Sequence, residues 1–372
     1  MNKPDIQQLA AAFDHTNPDI AGEPHAMYRA FREQCPIGRS QQHGGFYFAT
    51  RYQDVKKVFE DYSTFSSTTG VGIPPHPYQM LPIDLDPPQQ TKYRRILNTR
   101  FTVEAVAAKK DVIENEIRQF INGFIEKGSA DLAVDIVRPL LPAVVLPILG
   151  VPLEDRQQLC AWIEYLTRGR ANDMPGVIKA GEDIGVYLMQ LVARRRAMPP
   201  GDDIISLMLA SKIDGETPTD EQIFRTLFIT LFGGLDTTSS VMLESLLFLA
   251  RNPDEKKKLM AGEYDWAKVI EEFVRYTSPV QGLRRTLTKD TELSGQPLKQ
   301  GDWMFALLGS ANRDESVFPD AERCVLDRSP NPHIGFSTGA HICLGRNLAR
   351  LEIELLLKTI LRRLPDFRVA DD

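Results

Sequence analysis

The chain has 372 residues, with 44 lysines and arginines against 50 aspartates and glutamates, for a formal net charge of −6. At 42% hydrophobic and 25% charged residues the composition is ordinary for a globular protein, which excludes a disordered, collagenous or fibrous chain. The acidic balance argues against a general nucleic-acid binder. The four scattered cysteines, Cys35, Cys160, Cys324 and Cys343, argue against a disulfide framework and for a reducing compartment.

The N-terminus has no basic region followed by an apolar run, so no signal peptide is expected. Residues 44–51 read as a strand after a Gly-Gly turn, and 53–62 as a helix. Residues 68–88 are crowded with proline and glycine and read as a long loop, a type of segment that is usually functional or mobile. The pattern is helical from Gln89 to about Lys127, with a break before Thr102. The most apolar stretch, 139–153, is too short for the ~20 residues of a membrane span and is interrupted by Pro139, Pro142, Pro147 and Pro152. Helical periodicity returns after it through about Arg196, and 199–203 make a turn. A soluble cytoplasmic protein without a membrane segment is the expectation.

The clearest helix starts near Asp220. Thr219 is a good N-cap and Gln222 follows three residues later, a capping box. The helix is expected to run to Arg251, where Asn252-Pro253 stops it, for a length of ~48 Å at ~1.5 Å per residue. A shorter helix over 265–276 ends before Ser278-Pro279. Two strand-like runs follow, 292–302 and 303–309. The last helix runs from about Leu344 to Leu364 and is stopped by Pro365. The fold class is therefore mainly α with a minor β part, roughly 36–70 and 284–308. With no repeat or linker visible, one large domain over 1–372 is expected.

Two segments break local rules. Gly233-Gly234-Leu235-Asp236-Thr237-Thr238 sits at the centre of the long helix, where each glycine costs about 1 kcal/mol relative to alanine and the hydroxyls compete for backbone hydrogen bonds. Glycines let a flat group approach the backbone, and an acid beside a hydroxyl can relay protons. The alternative is a kink packed against a neighbouring helix. The second segment is Phe336-Ser337-Thr338-Gly339-Ala340-His341-Ile342-Cys343-Leu344-Gly345-Arg346. Cys343 precedes a helix whose free N–H groups favour a thiolate. Gly339 permits a tight turn and Gly345 a close approach. His-x-Cys supplies only two ligands, so zinc is not expected. A single thiolate suits a metal whose other ligands come from a macrocycle, as haem iron accepts cysteine.

Phe-x-x-Gly-x-His-x-Cys-x-Gly resembles the haem-binding signature of the cytochrome P450 family of haem-thiolate monooxygenases. Three further segments resemble that family in order and approximate spacing. They are Gly-Gly-Leu-Asp-Thr-Thr of the oxygen-activating helix, Glu272-Phe273-Val274-Arg275 as Glu-x-x-Arg, and Asp86-Pro87-Pro88 with Tyr93-Arg94-Arg95. The resemblance spans 86–350. It implies the P450 fold, haem b (iron protoporphyrin IX), and Cys343 as the axial ligand within a loop that includes Phe336, Gly339 and Gly345. It implies Arg94, Arg285 and His341 as partners of the haem propionates, and a structural triad of Glu272, Arg275 and Arg328. Glu272 and Arg275, taken alone, would read as a surface pair.

On the distal side the resemblance implies that Thr237 holds water or oxygen, that Asp236 feeds protons inward, and that Gly233 and Gly234 make room for O2. It also implies a substrate pocket lined by Tyr78, Ile229, Phe232, Gln281 and Leu283, mostly apolar and suited to a small hydrophobic substrate. The chain has no Gly-x-Gly-x-x-Gly and no flavin or iron–sulfur motif. Electrons from NAD(P)H are thus expected through a separate ferredoxin and ferredoxin reductase. The carrier would be steered by Lys92, Arg95, Arg100, Arg346 and Arg350, and the enzyme is expected to be a monomer. Two departures stand out: Ser337 where the family often has glycine, and Gln90 where many bacterial members have histidine. A haem-thiolate peroxygenase or isomerase, and a non-catalytic haem sensor, are the alternatives.

Overall fold

The structure, a computed structural model, describes residues 5–76, 78–168 and 173–370. Pro77, in the expected 68–88 loop, and residues 169–172, in the helical run expected to reach Arg196, lie outside the described residues.

Three short helices open the chain: α1 (Ile6–Ala12), α2 (Pro18–Gly22) and α3 (His25–Gln34). Strands β1 (Ile37–Ser40) and β2 (Phe46–Ala49) follow, then α4 (Tyr52–Glu60) and β3 (Phe65–Ser66). The described residues of 68–88 form neither helix nor strand, as their prolines and glycines imply. The next run divides into α5 (Gln89–Leu97), α6 (Val103–Ala107) and α7 (Lys110–Asn122). The expected break falls at Thr102, whose Oγ1 accepts the Ala105 N–H at 3.2 Å and caps α6.

The proline-rich stretch departs from expectation. α8 (Arg138–Leu149) is a helix with Pro142 and Pro147 inside it, preceded by a wider helical turn over Ala133–Val137. An internal proline costs about 3 kcal/mol. Leu140, Leu141, Val144, Val145, Leu146, Ile148 and Leu149 are all buried, and each fully buried aliphatic side chain contributes about 1.5–3 kcal/mol. Burial therefore outweighs the two prolines, and the helix is apolar all round because core surrounds it.

α9 (Arg156–Arg168), α10 (Met174–Arg196) and α11 (Ile204–Ala210) lead to the central pair. The capping box is formed: Gln222 N donates to Thr219 Oγ1 at 3.2 Å, and Thr219 N donates to Gln222 Oε1 at 2.9 Å. The single long helix is corrected to two, α12 (Asp220–Leu235) and α13 (Thr237–Arg251), meeting at Asp236. The whole segment Asp220–Arg251 has the length and hydropathy of a bilayer-crossing helix, but here it packs against α8, α10 and the last helix. α14 (Pro253–Met260) and α15 (Trp266–Thr277) follow, then β4 (Leu283–Leu287), β5 (Thr291–Leu293), β6 (Gln296–Leu298) and β7 (Trp303–Ala306). The described chain closes with α16 (Leu308–Ala311) and α17 (Arg346–Arg363).

The main sheet has the order β1-β2-β7-β4-β3. β2 and β7 run parallel, with Phe48 opposite Phe305, and the other neighbours are antiparallel. β5 and β6 form a separate hairpin. The largest apolar core lies among α5, α7, α8, α10, α12, α13, α15 and α17; smaller ones lie between the sheet and α4, and among Phe13, Tyr28, Phe31, Phe46 and Phe48.

Glu272 and Arg275 on α15 are not a surface pair. Both side chains are fully buried and Arg328 is nearly so. Glu272 accepts two bonds from Arg275 at 2.8 Å, the Arg328 Nε at 3.0 Å and the Val325 N–H at 2.7 Å. The Arg275 guanidinium also donates to the carbonyls of Asn312, Ala321 and Arg323. The triad thus stitches α15 to the 312–331 segment that precedes the cysteine loop.

Candidate active site

A cavity of about 1540 Å³ of empty space, part of it open to solvent, lies between the α12–α13 junction and the cysteine loop. Val145, Ile148 and Leu149 of α8, Leu348 and Ile353 of α17, and Leu283 of β4 give it a mostly apolar wall. The sequence-predicted residues Arg94, Ile229, Gly233, Gly234, Thr237, Leu283, Phe336, His341, Cys343 and Gly345 all face it.

The cysteine loop is held by backbone bonds. Cys343 N–H donates to the Phe336 carbonyl at 2.8 Å, closing the loop on itself. Arg346 Nη1 donates to the Cys343 carbonyl at 3.0 Å. Gly339 has φ +68° and does not face the cavity; a Cβ there would lie 2.8 Å from the Phe59 carbonyl, so its task is to let the loop press on the end of α4. Burial raises the Cys343 thiol above its ordinary value, while the Gly345 N–H, Arg94, Arg346 and Arg350 pull the other way. The Gly345 N–H at the helix start thus acts in the expected direction, but desolvation outweighs it, and a bound metal cation would remove a buried thiol's proton.

Ser337 occupies a left-handed backbone position, φ +61°, which suits glycine. Its Oγ is buried without a hydrogen-bond partner. Left-handed backbone costs an ordinary residue about 1–2 kcal/mol. Ser337→Gly should therefore raise stability by about 1 kcal/mol, read as an upward shift of about 1–2 °C in thermal unfolding; an unchanged or lower midpoint would contradict the strain.

Three basic residues converge at one end of the cavity. Burial and the nearby Arg285 and Arg94 lower the His341 imidazole to about 3, so it is neutral at pH 7. Arg285 sits behind the wall; burial lowers it to about 10, its Nη1 donates to the Arg284 carbonyl at 2.8 Å, and its Nη2 is buried and unpaired. Gln90, buried, gives its amide N–H to the Ala340 carbonyl, so it braces the cysteine loop. Asp86 accepts from Ser66 Oγ at 2.6 Å and from Ser67 N at 3.0 Å, which ties the end of the 68–88 loop to β3.

At the helix junction Thr237 Oγ1 donates to the Gly233 carbonyl at 2.9 Å, and Ser239 Oγ donates to the Asp236 carbonyl. The Thr237 hydroxyl thus occupies the Gly233 carbonyl, while the Asp236 carbonyl accepts both Ser239 Oγ and the Ser240 N–H at 3.3 Å; such side-chain bonds bend a helix at the junction. A Cβ on Gly233 would meet nothing within 4 Å, whereas one on Gly234 would lie 3.2 Å from Val145. Gly233 thus opens the cavity, and Gly234 fits α12 against α8. Asp236 lies at the junction, outside the cavity wall.

Several expected wall residues are placed elsewhere. Tyr78 packs edge-on to Phe228 and beside Phe224 on α12, away from the cavity. Phe232 joins the helical core. Gln281 turns towards Gly309 and gives its amide N–H to the Ser278 carbonyl at 2.9 Å, a bond that holds it off the wall. Of the expected docking cations, Lys92 pairs with Asp214 and Arg100 with Asp202, while Arg95 is exposed.

Sequence reasoning missed Glu352. It lies on α17 facing the cavity, is 2% exposed, and burial raises its carboxyl to about 8. The signal was present: Leu348, Glu352 and Leu356 share one helical stripe, with the acid between two leucines.

Known proteins resemble this arrangement. The cytochrome P450 family model matches residues 153–262 and 266–369. A steroid C26-monooxygenase of Mycolicibacterium smegmatis is 37% identical, over 100% of this chain and 92% of the relative. Cytochrome P450 130 of Mycobacterium tuberculosis is 33% identical, over 94% and 90%. Among solved structures, CYP268A2 of Mycobacterium marinum in complex with pseudoionone superimposes with a TM-score of 0.88 at 26% identity, over 94% of this chain and 91% of that one. CYP109E1 of Bacillus megaterium in complex with testosterone gives 0.86 at 29% identity, over 95% and 94%.

Proposed function

The chain belongs to the cytochrome P450 family of monooxygenases, whose cofactor is haem b, and from that premise we propose that it oxygenates a hydrophobic substrate of steroid size, with Cys343 as the axial thiolate. The observation that carries the reading is the single cavity-facing thiol opposite the broken helix, with a mostly apolar wall between them. The names of the relatives point the substrate search to steroids first.

The residues present fit haem. A lone sulfur donor suits an iron already held by four ring nitrogens. The open space above Gly233 admits a flat group. The unpaired Nη2 of Arg285, with Arg94 and His341 beside it, suits the anionic propionates. Bound haem supplies O2 activation and oxygen transfer.

The chain's own residues do the rest. Thr237 spends its hydroxyl proton on the Gly233 carbonyl, so its oxygen presents lone pairs to the cavity and can hold a water there. Asp236 at the junction feeds protons towards that water, a relay role. The apolar wall excludes bulk water and orients the substrate by shape. Electrons reach the site from NAD(P)H through a ferredoxin and its reductase. The four free cysteines suit a cytoplasmic setting. Retention of the Asp236-Thr237 pair favours a monooxygenase that handles protons over a peroxygenase.

Reconstitution with a ferredoxin, its reductase and NADH should convert a steroid to a product carrying one added oxygen, and omission of the ferredoxin should stop it. Turnover of no steroid would overturn the substrate assignment. Thr237→Ala should keep NADH consumption while product per NADH falls about tenfold or more; unchanged coupling would remove Thr237 from the relay.

A further inference from the structure

Behind the cysteine loop lies a group of side chains that the function above does not use. Arg350 on α17, expected to face an electron carrier, keeps 36% of its side chain exposed and also has partners on the protein side. Its Nε and Nη2 grip the Glu271 carboxylate of α15 at 2.5 and 2.9 Å. Its guanidinium lies over the Phe336 ring, 4.6 Å from the centroid. Phe336 in turn accepts the Cys343 N–H through its carbonyl at 2.8 Å. Glu271 Oε2, which accepts from Arg350 Nη2, is also paired with His333 Nε2 at 2.8 Å, and the His333 Nδ1 accepts the Gly335 N–H at 3.1 Å. The acid is held down to about 2 by these partners against its burial.

We propose that Glu271 and Arg350 form a charge clamp that positions Phe336 and sets the electron-donating strength of Cys343, so that Arg350 is a positioning residue for the thiolate in addition to any contact with a carrier. The proposal rests on Cys343 being the haem ligand. The physical reason is geometric. A bidentate arginine–carboxylate pair fixes orientation as well as charge, and stacking on an aromatic face fixes the ring beneath it. The loop that carries the sulfur is pinned on its outer side by a charge pair of which Arg350 is the member that acts on Cys343, with Glu271 holding it and, through His333, the Gly335 N–H. A positive charge there stabilises electron density on the sulfur and on the iron after reduction. Neutralising either partner therefore moves the reduction equilibrium in opposite directions.

The test uses the haem-loaded enzyme and reads the ferric/ferrous midpoint potential. Arg350→Gln should disfavour reduction about threefold, or roughly 30 mV for a one-electron couple. Glu271→Gln should favour it by a similar factor, and the double variant should return towards the parent. Arg350→Lys keeps the charge without the fork or the stack; it should leave the potential close to the parent and broaden the Soret band of the reduced carbon monoxide complex. Shifts of the same sign in both single variants would mean loosened packing only. A raised ferredoxin KM with no shift in potential would mean docking only. Either result overturns the clamp. The carbon monoxide spectrum of each variant reports separately whether the sulfur is bound: a parent without a far-red Soret band would sink the ligand assignment itself, whereas a normal band with unmoved potentials would sink the clamp alone.

Discussion

Glu272→Ala should leave little folded, haem-binding protein. Removing one partner from a buried ion pair costs about 3–5 kcal/mol, because the remaining charge stays buried and uncompensated. Here the loss strands two guanidinium groups, Arg275 and Arg328, which are 0% and 7% exposed. It also orphans the Val325 N–H. A typical domain has about 5–15 kcal/mol in all, so the expected result is a collapse in soluble yield and in haem content per chain at 25 °C. Asp at 272 should rescue little, since its shorter reach cannot meet both arginines. Both arginines also donate to backbone carbonyls, so normal haem loading and a thermal midpoint within about 2 °C of the parent would show that those carbonyls suffice and that the carboxylate is dispensable.

Glu352→Gln should change the pH dependence of stability more than stability itself. The folded carboxyl titrates at about 8, against an ordinary value of 4.5. The native state therefore holds the proton more tightly than the unfolded chain. Stability from this residue is complete below about pH 4.5 and is lost as pH rises towards and through 8. At about 1.36 kcal/mol per pH unit, the loss approaches roughly 5 kcal/mol above that value. Glutamine keeps the shape and never ionises, so the variant should match the parent near pH 5 and exceed it clearly at pH 8.5 in thermal unfolding. Parallel pH profiles for the two proteins would mean that Glu352 is ionised in the fold and paired through water.

What was legible in the sequence was whatever local chemistry determines. Thr219 with Gln222 announces a helix start, and the structure forms both bonds of the box. The conflict in Gly233–Thr238 marked a junction that lines the cavity, although the division of the helix at Asp236 was not foreseen. The helix over 138–149 was illegible because its prolines argue locally against it and only burial among neighbouring helices overrides them. The partners of Arg350 were illegible because Glu271 lies 79 residues away in sequence and meets it and Phe336 only in the fold. Gln281 and Tyr78 were assigned to the wall by position along the chain, and side-chain direction, which spacing does not encode, turned both away.

The main sheet has a consequence for how the chain is made. Its strands β1, β2 and β3 come from the first 66 residues, while β4 and β7, which occupy its middle, come from 283–306. During synthesis the early hairpin emerges with one edge unpaired and waits for more than half the chain before a partner appears. Non-local pairing of this kind is slow to nucleate, and an open edge is a site of association with other chains. The helices up to α15 can begin to pack in the meantime, but their core is completed only when α17 follows the last strand. A ribosome stalled before residue 283 should therefore expose the 37–49 hairpin to chaperones and proteases, and release past 306 should protect it.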